Sequence, residues 1–374
     1  RTYEKRDRSC LRESSYRRMN ILVDARPLCI RSPGGVTRVT RQLLDALFAI
    51  DQDNAYILGT TGAYRPTLPW SDDVRHRHLH RTLPNKFVSS LSATKLVSFE
   101  HWFRSIKSDL LFLPNLGHVG IPQLPFVLLV HDLTFLIEPR WYSWRSRIWH
   151  QIVHAKKLIT QAKLVLTISE HTKQDLMDHL QIPAERIRVL PFHPKPCGIP
   201  QALPTELEGT RFLLSLGGRD RRKNATASIQ AWNALRQEPR FKDVHLVVLG
   251  GKPATSSTVD EPYLHFFDHP TDDLMATLYK HAAVFLYPSW SEGFGIPLHE
   301  AARFGTPCVG ASGSVLEETA PEGTLLIPPE KPHLLVEAIR LQLEAPQRTD
   351  FRARAPAGSS CVDELLHAFA LAAL

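Results

Sequence analysis

Ser291-Glu292-Gly293-Phe294-Gly295-Ile296-Pro297-Leu298-His299-Glu300-Ala301 is the stretch that decides how this chain is read. It follows Ala283-Val284-Phe285-Leu286-Tyr287-Pro288, an apolar run of the kind that forms a strand buried on both faces of a parallel sheet. Gly293 and Gly295 let the backbone turn tightly and approach a ligand with no side chain in the way. Pro297 suits the first turn of a helix, where its missing N–H has no partner to lose. Strand, glycine loop and helix N-terminus gather free N–H groups and the positive end of a helix dipole at one point, which suits an anion. Glu292 and Glu300 flank that point with seven residues between them, so both face the same cleft. An acidic pair beside an anion seat suits a ligand that carries hydroxyls as well as phosphates, such as a sugar nucleotide.

The 374 residues are enough for two ordinary cores. A hydrophobic share of 43% and a charged share of 22% are those of a soluble globular protein. No apolar run approaches the roughly 20 residues that span a bilayer, and the tail Leu365-Leu366-His367-Ala368-Phe369-Ala370-Leu371 reads as an amphipathic helix docking on the body. Cys10, Cys29, Cys197, Cys308 and Cys361 have no metal-ligand spacing and are odd in number, which points to a reduced, cytoplasmic protein. Residues 1–18 are basic and without periodicity, and are expected to be a disordered extension. Charge then divides the rest: residues 19–195 carry a net +8 and residues 196–374 a net −5. A basic half is drawn to anionic partners, a membrane surface or a lipid phosphate among them.

Further units repeat the strand–glycine–helix syntax. Asn20-Ile21-Leu22-Val23-Asp24 leads into Ser32-Pro33-Gly34-Gly35, and Val36, Val39, Leu43, Leu44, Leu47 and Phe48 then keep helical spacing. The dinucleotide fingerprint G-x-G-x-x-G is absent, which counts against an oxidoreductase. Ala55-Tyr56-Ile57-Leu58 and Leu110-Leu111-Phe112-Leu113 are expected as strands, with His76-Arg77-His78 and a helix over about 86–106 between them. Phe126-Val127-Leu128-Leu129-Val130 ends in His131-Asp132, at the carboxyl end of a buried strand, where open α/β sheets bind ligands. Trp141, Trp144, Ile148, Ile152, Ala155 and Leu158 follow at helical spacing among Arg140, Arg145, Arg147, Lys156 and Lys157, a candidate membrane-interfacial patch. Ser169 is an N-cap for a helix over 170–180.

Pro191, Pro194, Pro196, Gly198, Pro200 and Pro204 mark the boundary between two domains, 19–195 and 210–374, with 196–209 as the linker. Strand–helix alternation restarts at Phe212-Leu213-Leu214-Ser215-Leu216, with helices near 223–237 and 271–281 and a strand at Val244–Leu249. Alternation in both halves gives an α/β fold of two doubly wound domains facing a cleft. Gly217-Gly218-Arg219-Asp220-Arg221-Arg222-Lys223-Asn224 follows the first strand of the second domain. A glycine turn with a basic cluster at a helix start suits a diphosphate, Arg giving a planar donor fork and Lys a point charge.

Together these residues resemble glycosyltransferase family 4, retaining enzymes with the GT-B fold of two facing Rossmann-like domains. The resemblance covers most of residues 19–345. Its most specific part is the E-x7-E motif from Glu292 to Glu300 with its Gly-Phe-Gly filling. It implies that Arg222 and Lys223 neutralise the departing diphosphate, and that Gly217 and Gly218 line its seat. It further implies that Glu300 accepts from the nucleotide ribose, and that Glu292, Gly293 and the backbone of Phe294 and Gly295 meet the donor sugar. His131 contacts that sugar from across the cleft, and Gly34 and Gly35 let the first loop approach the phosphate. The implied partners are a nucleotide-diphosphate sugar and a glycan or lipid-linked acceptor on the first domain, with no nucleic acid, no metal and no cofactor. The wording Gly-Gly-x-Asp-x-Arg-Lys-Asn favours a mannose-type donor. Asp51-Gln52-Asp53 spells the metal motif of another transferase fold but sits in a polar turn after a helix. Pro191-Phe192-His193 and residues 320–329 depart from the family pattern and leave the donor base open. A GT-B nucleotide-sugar epimerase, which needs no acceptor, and a non-enzymatic anion- or membrane-binding module are the competing readings.

Overall fold

The apolar runs assemble into two parallel sheets in the computed structural model. It describes residues 18–29, 34–70, 75–84, 88, 90–91, 97–195, 198–253, 261–349 and 358–374. The first sheet holds β1 (Asn20–Asp24), β2 (Ala55–Thr61), β3 (His76–Arg81), β4 (Leu110–Leu113), β5 (Phe126–Leu129), β6 (Leu164–Thr167) and β7 (Ile187–Val189) in the order β3-β2-β1-β4-β5-β6-β7. The second holds β8 (Phe212–Leu216), β9 (His245–Leu249), β10 (Leu264–Phe267), β11 (Val284–Tyr287), β12 (Cys308–Ala311) and β13 (Leu325–Ile327) in the order β10-β9-β8-β11-β12-β13. Every residue of β4, β5, β6 and β11 is buried. That is why these strands read as unbroken apolar runs rather than alternating ones. Strand order reverses between β1 and β4, and again between β8 and β11. The crevice at such a reversal, beyond the strands' carboxyl ends, is where open α/β sheets take ligands.

Nine helices pack around the sheets: α1 (Gly35–Ile50), α2 (Trp144–Ile152), α3 (Ala155–Gln161), α4 (Glu170–Leu180), α5 (Ala225–Leu235), α6 (Asp272–His281), α7 (Ile296–Ala302), α8 (Pro332–Glu344) and α9 (Gly358–Ala373), among the described residues and leaving single turns aside. Val39, Leu43, Leu44 and Leu47 of α1 lie on the first sheet, as the spacing of those residues requires. α7 begins one residue before Pro297, so the proline does occupy the first turn. Ser169 caps α4, its hydroxyl accepting from the Thr172 N–H at 3.2 Å.

The last helix departs from the sequence expectation, which placed it with the second domain. α9 crosses back and completes the core of the first sheet, where Val362, Leu365 and Phe369 join Leu43, Leu44 and Leu47. The Phe369 ring stands edge-on to Phe112 of β4, with centroids 5.2 Å apart. The start of the linker, at residues 196–197, lies outside the described residues, and the rest is pinned to the second half. The N–H of Ile199 donates to Asp273 and that of Gln201 to Thr277, each at 2.8 Å, and Leu207 is fully buried in the second core. His76 and His78 lie within β3 rather than in a connection. Of the helix expected over 86–106, Phe99–Phe103 forms a 3-10 turn, and much of the remainder lies outside the described residues, as do residues 1–17, Cys10 and Cys197. Asp51 closes the turn from α1 into β2, accepting from the Asp53 N–H at 2.9 Å and the Asn54 side chain at 2.8 Å. Its D-x-D spelling therefore has a structural reason. Cys29, Cys308 and Cys361 carry free thiols.

Candidate active site

Loops from both halves meet around a cavity of about 380 Å³. Gly34, Gly35, His131, Asp132, Arg222, Lys223, Glu292, Gly293, Phe294, Gly295 and Glu300 all line it, so the sequence-predicted residues converge from four separate stretches of chain. Gly217 lines a neighbouring cavity of about 760 Å³. Gly218 lines neither; a Cβ there would fall 1.6 Å from the carbonyl oxygen of Gly251, so close packing of two loops explains that glycine.

The loop after β8 presents the two cations. Gly217 turns with φ +78°, and a Cβ on it would lie 2.2 Å from the Lys223 side chain. Asp220 accepts from the Arg222 N–H at 3.0 Å and also holds the Arg222 guanidinium at 3.0 Å. Asn224, at φ +55°, then turns the chain into α5. Lys223 donates to Glu292 at 2.7 Å and to the Tyr287 hydroxyl, and the Ser289 hydroxyl donates to the same Glu292 oxygen. Arg222 stands over the Tyr142 ring at 5.4 Å and faces Asp132 across the cleft at 3.9 Å. Burial pushes the Tyr287 and Tyr142 hydroxyls up, so both stay protonated donors.

Glu300 is almost wholly enclosed, with 1% of its side chain exposed. Arg38 of α1 pairs with one of its oxygens and the Tyr279 hydroxyl donates to the other at 3.3 Å. Burial nonetheless raises its pKa, outweighing the attraction of Arg38. His131 donates from Nε2 to the Pro114 carbonyl at 2.9 Å, which fixes the tautomer and leaves Nδ1 as the acceptor in the neutral ring. Burial holds its pKa below the ordinary value. At Gly34 a Cβ would meet nothing within 4 Å, and at Gly35 only the Ile296 side chain at 3.8 Å. Packing does not require glycine at either place, so the absence of side chains leaves open space in the cavity.

The two halves touch closely beside the motif. A Cβ on Gly293 would lie 2.1 Å from the carbonyl oxygen of His131. Ser169 donates to the Gly293 carbonyl at 3.1 Å, and the hydroxyls of Thr134 and Ser291 bond at 2.7 Å. Glu318 caps α4 from the other half, accepting from the N–H groups of Glu170 and His171 at 2.8 Å each. The Phe294 side chain leaves the loop for the first core and meets Phe192 at 5.6 Å, while Trp141 and Trp290 stack at 5.3 Å.

Sequence reasoning missed Arg38, Tyr279, Ser289 and the cavity formed by Gly250, Asp268, His269 and Asp272. One signal for the last was present. Gly250-Gly251 follows the apolar run of β9 with the same strand–glycine syntax used elsewhere. No group of three or more His, Cys, Asp or Glu side chains suited to a metal occurs among the described residues.

Two family profiles match this chain. The one described as glycosyl transferases group 1 covers residues 210–344, and the one described as glycosyltransferase family 4 covers residues 33–192. The chain belongs to glycosyltransferase family 4. The family's enzymes are retaining glycosyltransferases. Among curated relatives, the O-antigen chain mannosyltransferase B of Escherichia coli is 25% identical over 54% of this chain and 57% of its own length. The chain therefore matches little more than half of that relative. The D-rhamnosyltransferase WbpZ of Pseudomonas aeruginosa is 24% identical over 85% of this chain and 84% of its own length. The fold is that of sucrose-phosphate synthase from Thermosynechococcus elongatus, with TM-score 0.64, 19% identity, and coverage of 95% of this chain and 96% of that one. Anabaena HepE, solved in complex with UDP and glucose, gives TM-score 0.58 and 17% identity over 94% of this chain and 95% of that one. These structures share the GT-B architecture that the family 4 motifs imply.

Proposed function

We propose that this family 4 enzyme moves a hexosyl unit of the mannose class from a nucleoside diphosphate sugar to a hydroxyl of a growing, lipid-linked surface glycan. The observation that carries the reading is the convergence of Arg222, Lys223, Glu292, Glu300 and His131 on one cavity between the two sheets. The relatives named for mannosyl and rhamnosyl transfer, one of them in O-antigen synthesis, support the sugar class and the acceptor.

In this reading Arg222 and Lys223 hold the donor diphosphate, and Glu300 accepts from the ribose hydroxyls. Glu292, the backbone amides of Phe294 and Gly295, and the Nδ1 lone pair of His131 orient the donor sugar. Gly34 and Gly35 leave room for the phosphate. The anomeric C–O bond to the diphosphate breaks with its electron pair going to the phosphate oxygen. The acceptor oxygen bonds to the same face of the sugar, and its proton passes to the departing diphosphate. Fixed positive charge at the leaving group lowers the barrier, because donors already in place need not reorganise during the step. Asp220 and Glu292 hold Arg222 and Lys223 in position before the donor arrives. With that charge supplied by the protein, the proposed chemistry uses no metal.

The first domain supplies the acceptor side, and we place the enzyme in the cytoplasm at the inner face of the plasma membrane. No described helix is long and apolar enough to cross a membrane. Trp144 and Ile148 of α2 are 66% and 45% exposed beside Arg145 and Arg147, which supports peripheral contact. The test is incubation with GDP-mannose or UDP-glucose and a mannose-terminated, lipid-linked oligosaccharide, with the product linkage read by NMR. The expected result is an α-linked hexosyl product whose formation falls by about 10²-fold or more in Glu292→Gln. Turnover of the donor without transfer to acceptor would favour the epimerase reading and overturn this one.

A further inference from the structure

Arg38 stands one turn into α1, three residues beyond Gly35, where its spacing alone makes it a surface charge on a helix. The structure gives it a different place. Its guanidinium reaches across the cleft with Nη1 on Glu300 and Nη2 on Asp272, the residue that opens α6. It walls both cavities, the one holding Arg222 and Lys223 and the one holding Asp268 and His269. Glu300 has two carboxylate oxygens, and both are engaged: Oε1 by Arg38 and Oε2 by Tyr279. Tyr279 is itself fully buried on α6 and belongs to the same half as Glu300. Arg38 is therefore the partner that comes from outside that half.

We propose that Arg38 is a positioning residue that competes with the nucleotide ribose for Glu300. The guanidinium neutralises a carboxylate that burial would otherwise leave uncompensated, a costly arrangement. A ribose diol donating to Oε1 takes that oxygen over, and Arg38 stays tethered to the more exposed Asp272, 48% accessible, at the junction of the two cavities. The contact thus links occupancy of the nucleotide seat in one half to α1 and the glycine loop of the other. The inference rests on the proposed role of Glu300 as the ribose acceptor. Because the diol must displace an existing ion pair, its contribution to binding in the wild-type protein is reduced by the free energy of that pair. The coupling between the two contacts is reciprocal.

The test uses calorimetry on the full chain with GDP and 2′-deoxy-GDP, and with UDP and 2′-deoxy-UDP, for wild type, Arg38→Ala and Arg38→Gln. The quantity read is the ratio of the deoxy to the ribo dissociation constant. Competition predicts that this ratio grows by about fivefold or more in both variants, the lower end of ordinary coupling between sites. A merely structural role would move both constants together and leave the ratio alone. A ratio that is unchanged or smaller overturns the proposal. Glu300→Gln separates the two levels of failure. If that change collapses the ratio toward one while the Arg38 variants do not raise it, the ribose reading stands and the Arg38 inference falls. If it leaves the wild-type ratio untouched, Glu300 does not read the ribose and both fall.

Discussion

Glycine is used in two physically different ways within the cleft, and substitution separates them. At Gly293 an added methyl would press on the His131 carbonyl at 2.1 Å, so the motif loop and the first domain touch there backbone to backbone. Gly293→Ala is expected to lower transfer activity by about 10²-fold, the usual consequence of a displacement of about 1 Å between groups that must act together. At Gly34 a methyl would meet nothing within 4 Å. Gly34→Ala should leave stability within about ±0.5 kcal/mol while weakening donor binding, measured by thermal melts and calorimetry together. Donor affinity equal to wild type would make that loop a plain connection. Residue-scale legibility followed the same division. Glu292, Glu300, Arg222 and Lys223 were readable because each sits at a fixed place in a strand–glycine–helix unit. Arg38 was not, since its meaning comes from partners 262 and 234 residues away.

Among the elements, the strands buried on both faces announced themselves, because a residue that cannot face water must be apolar at every position. Edge strands hid. β3 carries His76, Arg77, His78, His80 and Arg81, and its polar side chains are held partly by neighbours such as Thr60, bonded to His78 at 2.7 Å. α9 was legible as a docking helix, but an apolar stripe says only that a partner exists, not which sheet it covers. α2 is the reverse case: Trp144 and Ile148 are 66% and 45% exposed, with the Arg145 guanidinium over the Trp144 ring at 5.3 Å. Flotation with vesicles containing phosphatidylglycerol is expected to carry the protein, and added salt to release part of it. Trp144→Ser with Ile148→Ser should weaken that binding by about tenfold or more, from the apolar area withdrawn. Undiminished binding by the double variant would remove α2 from the membrane-facing surface.

For the whole molecule, buried histidines tie stability to pH. Burial holds His118, His131, His150 and His193 below their ordinary value and pushes His78 and His299 down to about 4. The unfolded chain protonates these rings near 6.5 while the folded chain resists, so their stabilising contribution is whole above that value and lost as pH falls toward the folded ones. Glu300 runs the other way. Its raised folded value means that its contribution is whole below the unfolded one and fades as pH rises through the folded one. His245 and His265 are lowered likewise and Asp175 is raised like Glu300, so among the described residues eight histidines stand against two carboxylates. The histidines dominate, and the melting temperature should fall steadily from about pH 7 to pH 5. A melting temperature that held constant or rose over that window would contradict these burials. At this scale, too, strand–helix alternation made the paired-sheet architecture legible. The way the halves lock together was not legible, because Glu318 on α4, Phe294 against Phe192, and Trp141 on Trp290 are contacts between segments with no common pattern.

The most direct measurement is calorimetric binding of UDP, GDP and ADP to the protein and to Lys223→Ala, without added metal. Tight binding of one nucleotide, weakened by about 1.5–3 kcal/mol in the variant, is the result expected of a charge-assisted diphosphate contact. It would also name the donor base. Binding of none of the three by the wild-type protein, or equal binding by the variant, would contradict the assignment of this cleft to a nucleoside diphosphate sugar.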